Sequence, residues 1–192
     1  MEYFDKKKNV DHYLEMMKGE SNKYILNEVH ENLKTGRKML ELGIGAGKDL
    51  DILIKDYNVT GSDRSQLFLD AYLKKNPKVK LRKLDAVSLD IDEKFDYIYS
   101  NKVLCHLTDN DLEESFYKQA KLLNDKGRIF HTFWKGTTTE TFDGLFFNYQ
   151  IKQNIMNLAD RWFSVVKYVE YTEMEENDSF YIILKKRWRR IR

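Results

Sequence analysis

Apolar and polar positions along this chain fall into two rhythms. In the first, Ile25, Val29 and Leu33 recur every four residues with Leu26 beside them, so residues 21–34 predict an amphipathic helix, closed by Gly36. Residues 10–18 predict a helix before it. From Lys38 the pattern changes to short apolar runs over 38–42, 58–61, 79–84, 95–100 and 128–133, which predict strands. Helical segments separate them: one through Leu50, Leu53 and Ile54, one over 65–75 carrying Leu67, Phe68, Ala71 and Tyr72, and one over 108–123. Thr108 followed three residues later by Asp111 resembles a capping box with Asp in place of Glu. Strands alternating with helices predict a parallel sheet covered on both faces. Beyond it, residues 136–149 predict a loop rich in Thr and Phe, and 150–162 a helix. Residues 164–171 and 179–185 predict two strands joined by an acidic turn over 173–178. That hairpin would add one antiparallel strand to the sheet.

Composition narrows the class. The 192 residues include 42% hydrophobic and 14% aromatic side chains, one proline (Pro77) and nine glycines. This is enough apolar material for one core and too little Pro and Gly for a linker, so a single domain is expected over 1–192. Within it, 1–36 forms a helical N-terminal cover, 37–134 the first half, and 135–192 a lid, a helix and the closing hairpin. The net charge of +2 is uneven, because residues 185–192 hold six basic groups and no acid, leaving the remainder at −4. A body of that sign gives no general attraction for nucleic acid, and a basic terminal run is most simply a solvated one. Cys105 is the only cysteine, which rules out an intrachain disulfide and a multi-cysteine metal site. His12, His30 and His131 show no metal-ligand spacing with any acid, so no metal is expected. Residues 1–9 lack a signal-peptide apolar stretch and no run of 18 apolar residues occurs, so the expected compartment is the cytoplasm, without membrane association.

The chemistry concentrates in Glu41-Leu42-Gly43-Ile44-Gly45-Ala46-Gly47, between a predicted strand and a predicted helix. Glycines there permit a tight turn and let a ligand lie on bare backbone, while the next helix offers unpaired N–H groups. A Walker A loop needs four residues between its first Gly and Gly-Lys, then Ser or Thr. Gly43 and Gly47 enclose three, and Asp49 follows Lys48. A dinucleotide fingerprint, Gly-x-Gly-x-x-Gly, fails because the third glycine comes one residue early.

An acid followed by x-Gly-x-Gly-x-Gly resembles the first motif of the class I S-adenosylmethionine-dependent methyltransferases, and every fixed position matches. Asp63 after the second strand, Asp85 in Leu84-Asp85-Ala86, residues 95–100, Leu104-Cys105-His106-Leu107, and residues 122–129 resemble the consecutive later motifs, with Lys126 where a Gly is usual. The resemblance covers residues 37–134 well. It implies a Rossmann-like α/β three-layer sandwich, its seven-stranded, mostly parallel sheet ending in an antiparallel seventh strand. It also implies S-adenosyl-L-methionine as cofactor. Carried over by position, Gly43, Ile44 and Gly45 approach the methionine portion, with Glu41 shaping the turn. Asp63 takes the ribose hydroxyls, and Arg64 lies beside the adenine. Asp85 accepts from the adenine amino group, the Ala86 amide meets a ring nitrogen, and Ser100 and Asn101 lie near the methionine amino group.

The same resemblance implies methyl transfer by in-line displacement, for which positioning does most of the work. His106 is the candidate general base if the acceptor must lose a proton, against the alternative of a histidine that only packs or hydrogen-bonds. Tyr13 in the N-terminal cover and Trp134, Phe142, Phe146, Phe147 and Tyr149 near the lid are candidate walls for an apolar or aromatic-bearing small acceptor. DNA is not expected as acceptor: residues 100–103 read Ser-Asn-Lys-Val, not the Pro-Pro motif of amino-methylating DNA enzymes, and Cys105 lacks a preceding Pro. RNA is not expected, since 192 residues leave no room for an RNA-binding module. Two other readings stand beside this one: a nicotinamide-dependent reductase with an atypical glycine turn, and a non-catalytic binding module of the same fold. Monomer and homodimer both remain open.

Overall fold

A computed structural model describes residues 3–19 and 23–187. After a short 3-10 turn, Tyr3–Asp5, come helices α1 (Lys7–Met16) and α2 (Lys23–Asn32). The alternating core follows: β1 (Lys38–Leu42), α3 (Lys48–Leu53), β2 (Asn58–Asp63), α4 (Gln66–Leu73), β3 (Leu81–Lys83) and β4 (Phe95–Asn101). A second 3-10 turn, Leu104–His106, leads into α5 (Asp109–Leu122) and β5 (Leu123–Trp134). The closing part holds β6 (Thr139–Phe142), β7 (Leu145–Asn148), α6 (Lys152–Ala159), β8 (Phe163–Tyr171) and β9 (Ser179–Lys186).

Seven strands form one sheet in the order β3-β2-β1-β4-β5-β9-β8, while β6 and β7 pair only with each other. Strands β1 to β5 run parallel, and β9 lies antiparallel to both β5 and β8. The expected antiparallel seventh strand is therefore β9, slotted between β5 and β8. Chain order reverses direction between β1 and β4, and the crevice beyond the strand ends at such a reversal is where ligands of open α/β sheets bind.

The strands are apolar on both faces because helices cover both. Leu40, Leu42, Ile98, Phe133 and Ile182 pack in one cluster with Leu112 and Phe116 of α5 and Ile155 of α6. Met39, Tyr99, Phe130 and Ile183 join Ile25, Leu26 and Val29 of α2 and Leu50 and Leu53 of α3 in the other. Neighbouring residues of one strand thus serve opposite clusters, as the two-residue strand period requires. Thr108 caps α5 by accepting from the Asp111 amide at 3.2 Å.

Two expectations need correction. Residues 136–149 are not a loop but carry the β6–β7 hairpin, with Phe142 facing Leu145 across Asp143-Gly144. Both turn residues take positive φ, 48° and 82°, the conformation that matches the twist of a two-residue hairpin. Strand β5 also starts earlier than Arg128, at Leu123, with the pairing to β4 irregular between Phe95 and Tyr97. Lys126, the residue where a glycine is usual, has φ 66°. Ser21 and residues 188–192, the last part of the basic run, lie outside the described residues.

Candidate active site

Glycine positions define the floor. Gly43, Gly45 and Gly47 all take positive φ, 70°, 47° and 78°, which a side chain resists. Space is short as well, severely at Gly43 and Gly47 and mildly at Gly45. A Cβ on Gly43 would stand 2.5 Å from Val103, one on Gly45 3.3 Å from the Tyr13 ring, and one on Gly47 2.1 Å from Tyr72. Tyr13 of α1 therefore covers the turn, and Val103, in the segment leading to His106, packs beneath it.

The turn is stitched to β2. The Ile44 amide donates to the Ser62 carbonyl at 2.9 Å, and the Ser62 hydroxyl to the Glu41 carbonyl at 2.7 Å. Asp63 is buried and accepts from the Gly45 amide at 3.0 Å and the Ser65 amide at 2.8 Å. Burial raises its carboxyl above the ordinary value, and those amides hold it partly back. The Ser65 hydroxyl donates to the Phe4 carbonyl at 2.6 Å. Phe4, Tyr13 and Phe68 then close on one another with centroids 5.1–5.5 Å apart, laying the N-terminal cover over the tip of β2.

Glu41 is only 2% exposed, and its Oε2 has no hydrogen-bond partner. Burial, then the fields of Asp49, Asp63 and Asp51, push its carboxyl well above the usual range. Asp49, buried in the first turn of α3, accepts from the Tyr99 hydroxyl at 2.7 Å and the Asn101 amide at 3.0 Å. Asn101 in turn accepts from the Thr132 hydroxyl at 2.6 Å. This wall is rich in carboxylate and holds one oxygen in want of a donor. It suits a ligand with a positive charge and N–H groups, and it opposes a pyrophosphate at the α3 N-terminus.

On the β3 side, Asp85 caps its own turn by accepting from the Val87 amide at 2.8 Å and the Ser88 amide at 3.2 Å. Its other oxygen lies 4.0 Å from Arg64 Nε. The Ala86 carbonyl begins a buried chain whose direction that carbonyl dictates, since it can only accept. Ser115 donates to it at 2.6 Å, Gln119 donates to Ser115 at 3.0 Å, and His131 Nε2–H donates to Gln119 Oε1 at 2.8 Å. His131 Nδ1 is then left to accept from the Ser100 hydroxyl at 2.8 Å. Ser100 thus turns its side chain away from Asn101 and toward α5. Burial drives His131 down to about 3.

His106 belongs to a different layer, under the β6–β7 hairpin. Its Nδ1 lies 2.7 Å from the Phe146 carbonyl, and its ring meets Phe147 edge-on at 4.8 Å. A carbonyl only accepts, so Nδ1 carries the proton and Nε2 the lone pair. Burial lowers the imidazole below its ordinary value, leaving it neutral at neutral pH. Trp134 is occupied by Lys102, whose ammonium sits 3.5 Å from the ring centroid and 3.0 Å from Glu173. Phe142 is 72% exposed at the hairpin tip. Cys105 is buried, with its thiol pushed up to about 12.

Asp49, Tyr99 and the Ser115–Gln119–His131 chain were not visible as site residues in the sequence. The two-residue period of β4 tells only that Tyr99 and Ser100 point to opposite faces; the partners each meets come from distant segments. Among the described residues no group of three or more His, Cys, Asp or Glu side chains is placed to hold a metal ion, and no helix is long and apolar enough to cross a membrane.

Residues 39–127 match the family described as a methyltransferase domain. No curated protein sequence matches the chain. Among solved structures, a TehB-like S-adenosylmethionine-dependent methyltransferase from Corynebacterium glutamicum superposes with TM-score 0.78 at 17% identity, covering 95% of this chain and 100% of that one. The N-methyltransferase NodS from Bradyrhizobium japonicum, in complex with S-adenosylhomocysteine, gives 0.76 at 12% identity over 96% and 99%. The 1,6-didemethyltoxoflavin-N1-methyltransferase of Burkholderia thailandensis, bound to 1,6-didemethyltoxoflavin and S-adenosylhomocysteine, gives 0.76 at 14% over 93% and 85%. At these identities the likeness speaks for the fold.

Proposed function

We propose that this chain, whose residues 39–127 match a methyltransferase domain and whose fold is that of S-adenosylmethionine-dependent methyltransferases, transfers the methyl group of S-adenosylmethionine to a small-molecule acceptor. One observation carries the reading: the unpartnered Oε2 of buried Glu41 beside three positive-φ glycines. When bound, the cofactor supplies a methyl group already activated by its sulfonium. Gly43, Ile44 and Gly45 would offer backbone to its methionine portion, with Glu41 and Asn101 as acceptors near the amino group. Ser100 would contribute only main chain there, because its hydroxyl proton is committed to His131. Asp63 would take the ribose, and Arg64, Asp85 and the Ala86 amide the adenine.

The protein's own task is to align the acceptor and exclude water, and alignment alone supplies roughly 7–11 kcal/mol of such a barrier. Tyr13, His106, Phe146 and Phe147 form the proposed acceptor wall. Trp134, covered by Lys102, and solvent-facing Phe142 fall outside it. Where the acceptor must lose a proton, the lone pair on His106 Nε2 receives it, a contribution of about 10²–10⁴-fold. The small-molecule assignment draws on the half-buried aromatic hairpin over His106 and on the acceptor bound by the toxoflavin methyltransferase.

Titration calorimetry with S-adenosylhomocysteine and separately with NADH tests the cofactor. Binding of the first alone is expected, and binding of NADH alone would replace this reading with the reductase. Transfer of labelled methyl to pooled small metabolites, set against bulk RNA and protein, tests the acceptor class.

A further inference from the structure

The hairpin that meets His106 is held at its inner end by buried bonds, and at its tip only by an exposed one, from the Tyr3 hydroxyl to Asp143 Oδ2 at 3.0 Å. Its outer strand β6 is exposed throughout and its tip is the solvent-facing Phe142. The returning strand β7 ends at Asn148, buried, whose side-chain amide donates to the Leu107 carbonyl and to Asp109 Oδ1, each at 2.9 Å. Gln150, also buried, donates to the same Asp109 oxygen at 3.0 Å, and Asn154 donates to Oδ2 at 3.2 Å. One carboxylate in the first turn of α5 therefore collects three amides from the chain that leaves the hairpin. Two residues before Asn148 stands the Phe146 carbonyl that fixes His106.

We propose that Asp109 is a positioning residue. Through Asn148 it seats β7 so that the Phe146 carbonyl binds Nδ1–H of His106, which keeps the imidazole in the tautomer whose Nε2 can accept a proton. The alternative tautomer would place the proton on Nε2 and remove the base, so base competence depends on the hairpin being seated. The role of the base rests on the function proposed above; the tautomer and its control by Asp109 do not.

The geometry argues for this division of labour. Without the Asp109 carboxylate, Asn148 and Gln150 would keep their places only by leaving buried N–H groups unpaired, which is unfavourable by about 1–3 kcal/mol for each. The relief available to them is movement of β7, the strand carrying Phe146. Nothing else among the described residues bonds to the His106 ring nitrogens. The residue that holds the strand therefore also sets the ring.

Histidine-labelled protein, read by long-range ¹H–¹⁵N correlation without any ligand, tests the proposal. The wild type should show His106 protonated on Nδ1 and bare on Nε2. His131, held by its own chain in the opposite tautomer, reports whether the fold is intact. In Asp109→Ala the His106 signals should move to an average of the two tautomers while those of His131 stay in place. Asp109→Asn, which keeps an acceptor for Asn148 and Gln150, should restore most of the wild-type pattern. A wild-type His106 protonated on Nε2, or an unchanged His106 in Asp109→Ala, would overturn the proposal. Should Asp109→Ala disturb His131 too, Asn148→Ala carries the same test with the carboxylate in place, and an unchanged His106 there would equally overturn it. Calorimetry with S-adenosylhomocysteine on the same samples reports separately on the cofactor reading, so either idea can fail alone.

Discussion

Gly45 donates its main-chain N–H to the Asp63 carboxylate at 3.0 Å, so the turn after β1 and the acid at the tip of β2 form one unit. The same carboxylate accepts from Ser65 on its other oxygen. A group proposed to receive a sugar is thus already spent on holding the loop beside that sugar in shape. Binding and folding draw on the same two oxygens.

Replacing Asp63 should therefore be felt twice. Asp63→Ala leaves the Gly45 and Ser65 amides without partners, an effect of roughly 1–3 kcal/mol each, offset in part because a buried carboxylate is removed. A net stability loss of about 1–3 kcal/mol is expected by urea denaturation, with affinity for S-adenosylhomocysteine lowered about tenfold or more by calorimetry. Asp63→Asn keeps one acceptor and should lose less stability. Unchanged affinity in both variants would remove Asp63 from the cofactor site.

Glu41 should show the opposite balance. Its folded carboxyl lies well above the ordinary range through burial and neighbouring acids. A raised folded pKa means that the folded state holds the proton more tightly than the unfolded chain. The stability it brings is full below the unfolded value, about 4.5, and drains away as pH rises through the folded value. Glu41→Gln has no such proton to lose. The variant should match the wild type in melting temperature at pH 4 and exceed it increasingly toward pH 8. Its affinity for S-adenosylhomocysteine should fall about tenfold or more, since a hydrogen bond to a charged group is worth about 1.5–3 kcal/mol. Greater stability with undiminished affinity would show that Oε2 faces no ligand.

Two glycines with nearly equal φ separate backbone strain from steric clash. Gly36 (φ 74°) has open space around its missing Cβ, whereas at Gly47 (φ 78°) a Cβ would stand 2.1 Å from Tyr72, itself fixed by a hydroxyl bond to Asp51 at 2.6 Å. Gly36→Ala should lose about 1–2 kcal/mol, the left-handed penalty alone. Gly47→Ala should lose about 1–3 kcal/mol more through overpacking. Equal losses in chemical denaturation would mean that Tyr72 moves aside freely.

Much of this layout is legible in the sequence because it follows from local rules. The runs at 38–42 and 95–100 mark buried parallel strands, Glu41 to Gly47 mark a turn that must be bare, and Thr108 marks a helix start. The hairpin at 139–148 was legible as well, since Asp143-Gly144 between β-branched and aromatic residues is a two-residue turn signal; the density of Thr and Phe suggested a loop instead. What could not be read are relations between distant segments. Asp49 meets Tyr99 and Asn101 about fifty positions away, and His106 meets a backbone carbonyl 40 residues on. No period or motif encodes such meetings, because packing of the finished sheet creates them. The same holds for the direction of Ser100, which its position at a strand end suggests for a ligand and its neighbours His131 and Gln119 claim for the core.

His131 offers the sharpest test of that buried chain through its dependence on pH. Its folded value of about 3 lies below the ordinary 6.5, because the fully buried ring has no anion beside it and Nδ1 must stay bare to accept from Ser100. Between those two values the unfolded chain binds a proton that the folded protein does not, so stability rises with pH across the window and is lost as pH falls through it. The slope from this one group approaches about 1.4 kcal/mol per pH unit near pH 4–5. His131→Gln retains hydrogen-bonding atoms but cannot titrate. It should be less stable than the wild type at pH 7, through poorer geometry toward Ser100 and Gln119, yet its denaturation free energy should fall less steeply between pH 6 and pH 4, by nearly one proton's worth. If the two slopes coincide, His131 already carries its proton in the native state. Nδ1–H would then donate to the Ser100 hydroxyl, while Nε2–H, Gln119 and Ser115 keep their donor order toward the Ala86 carbonyl.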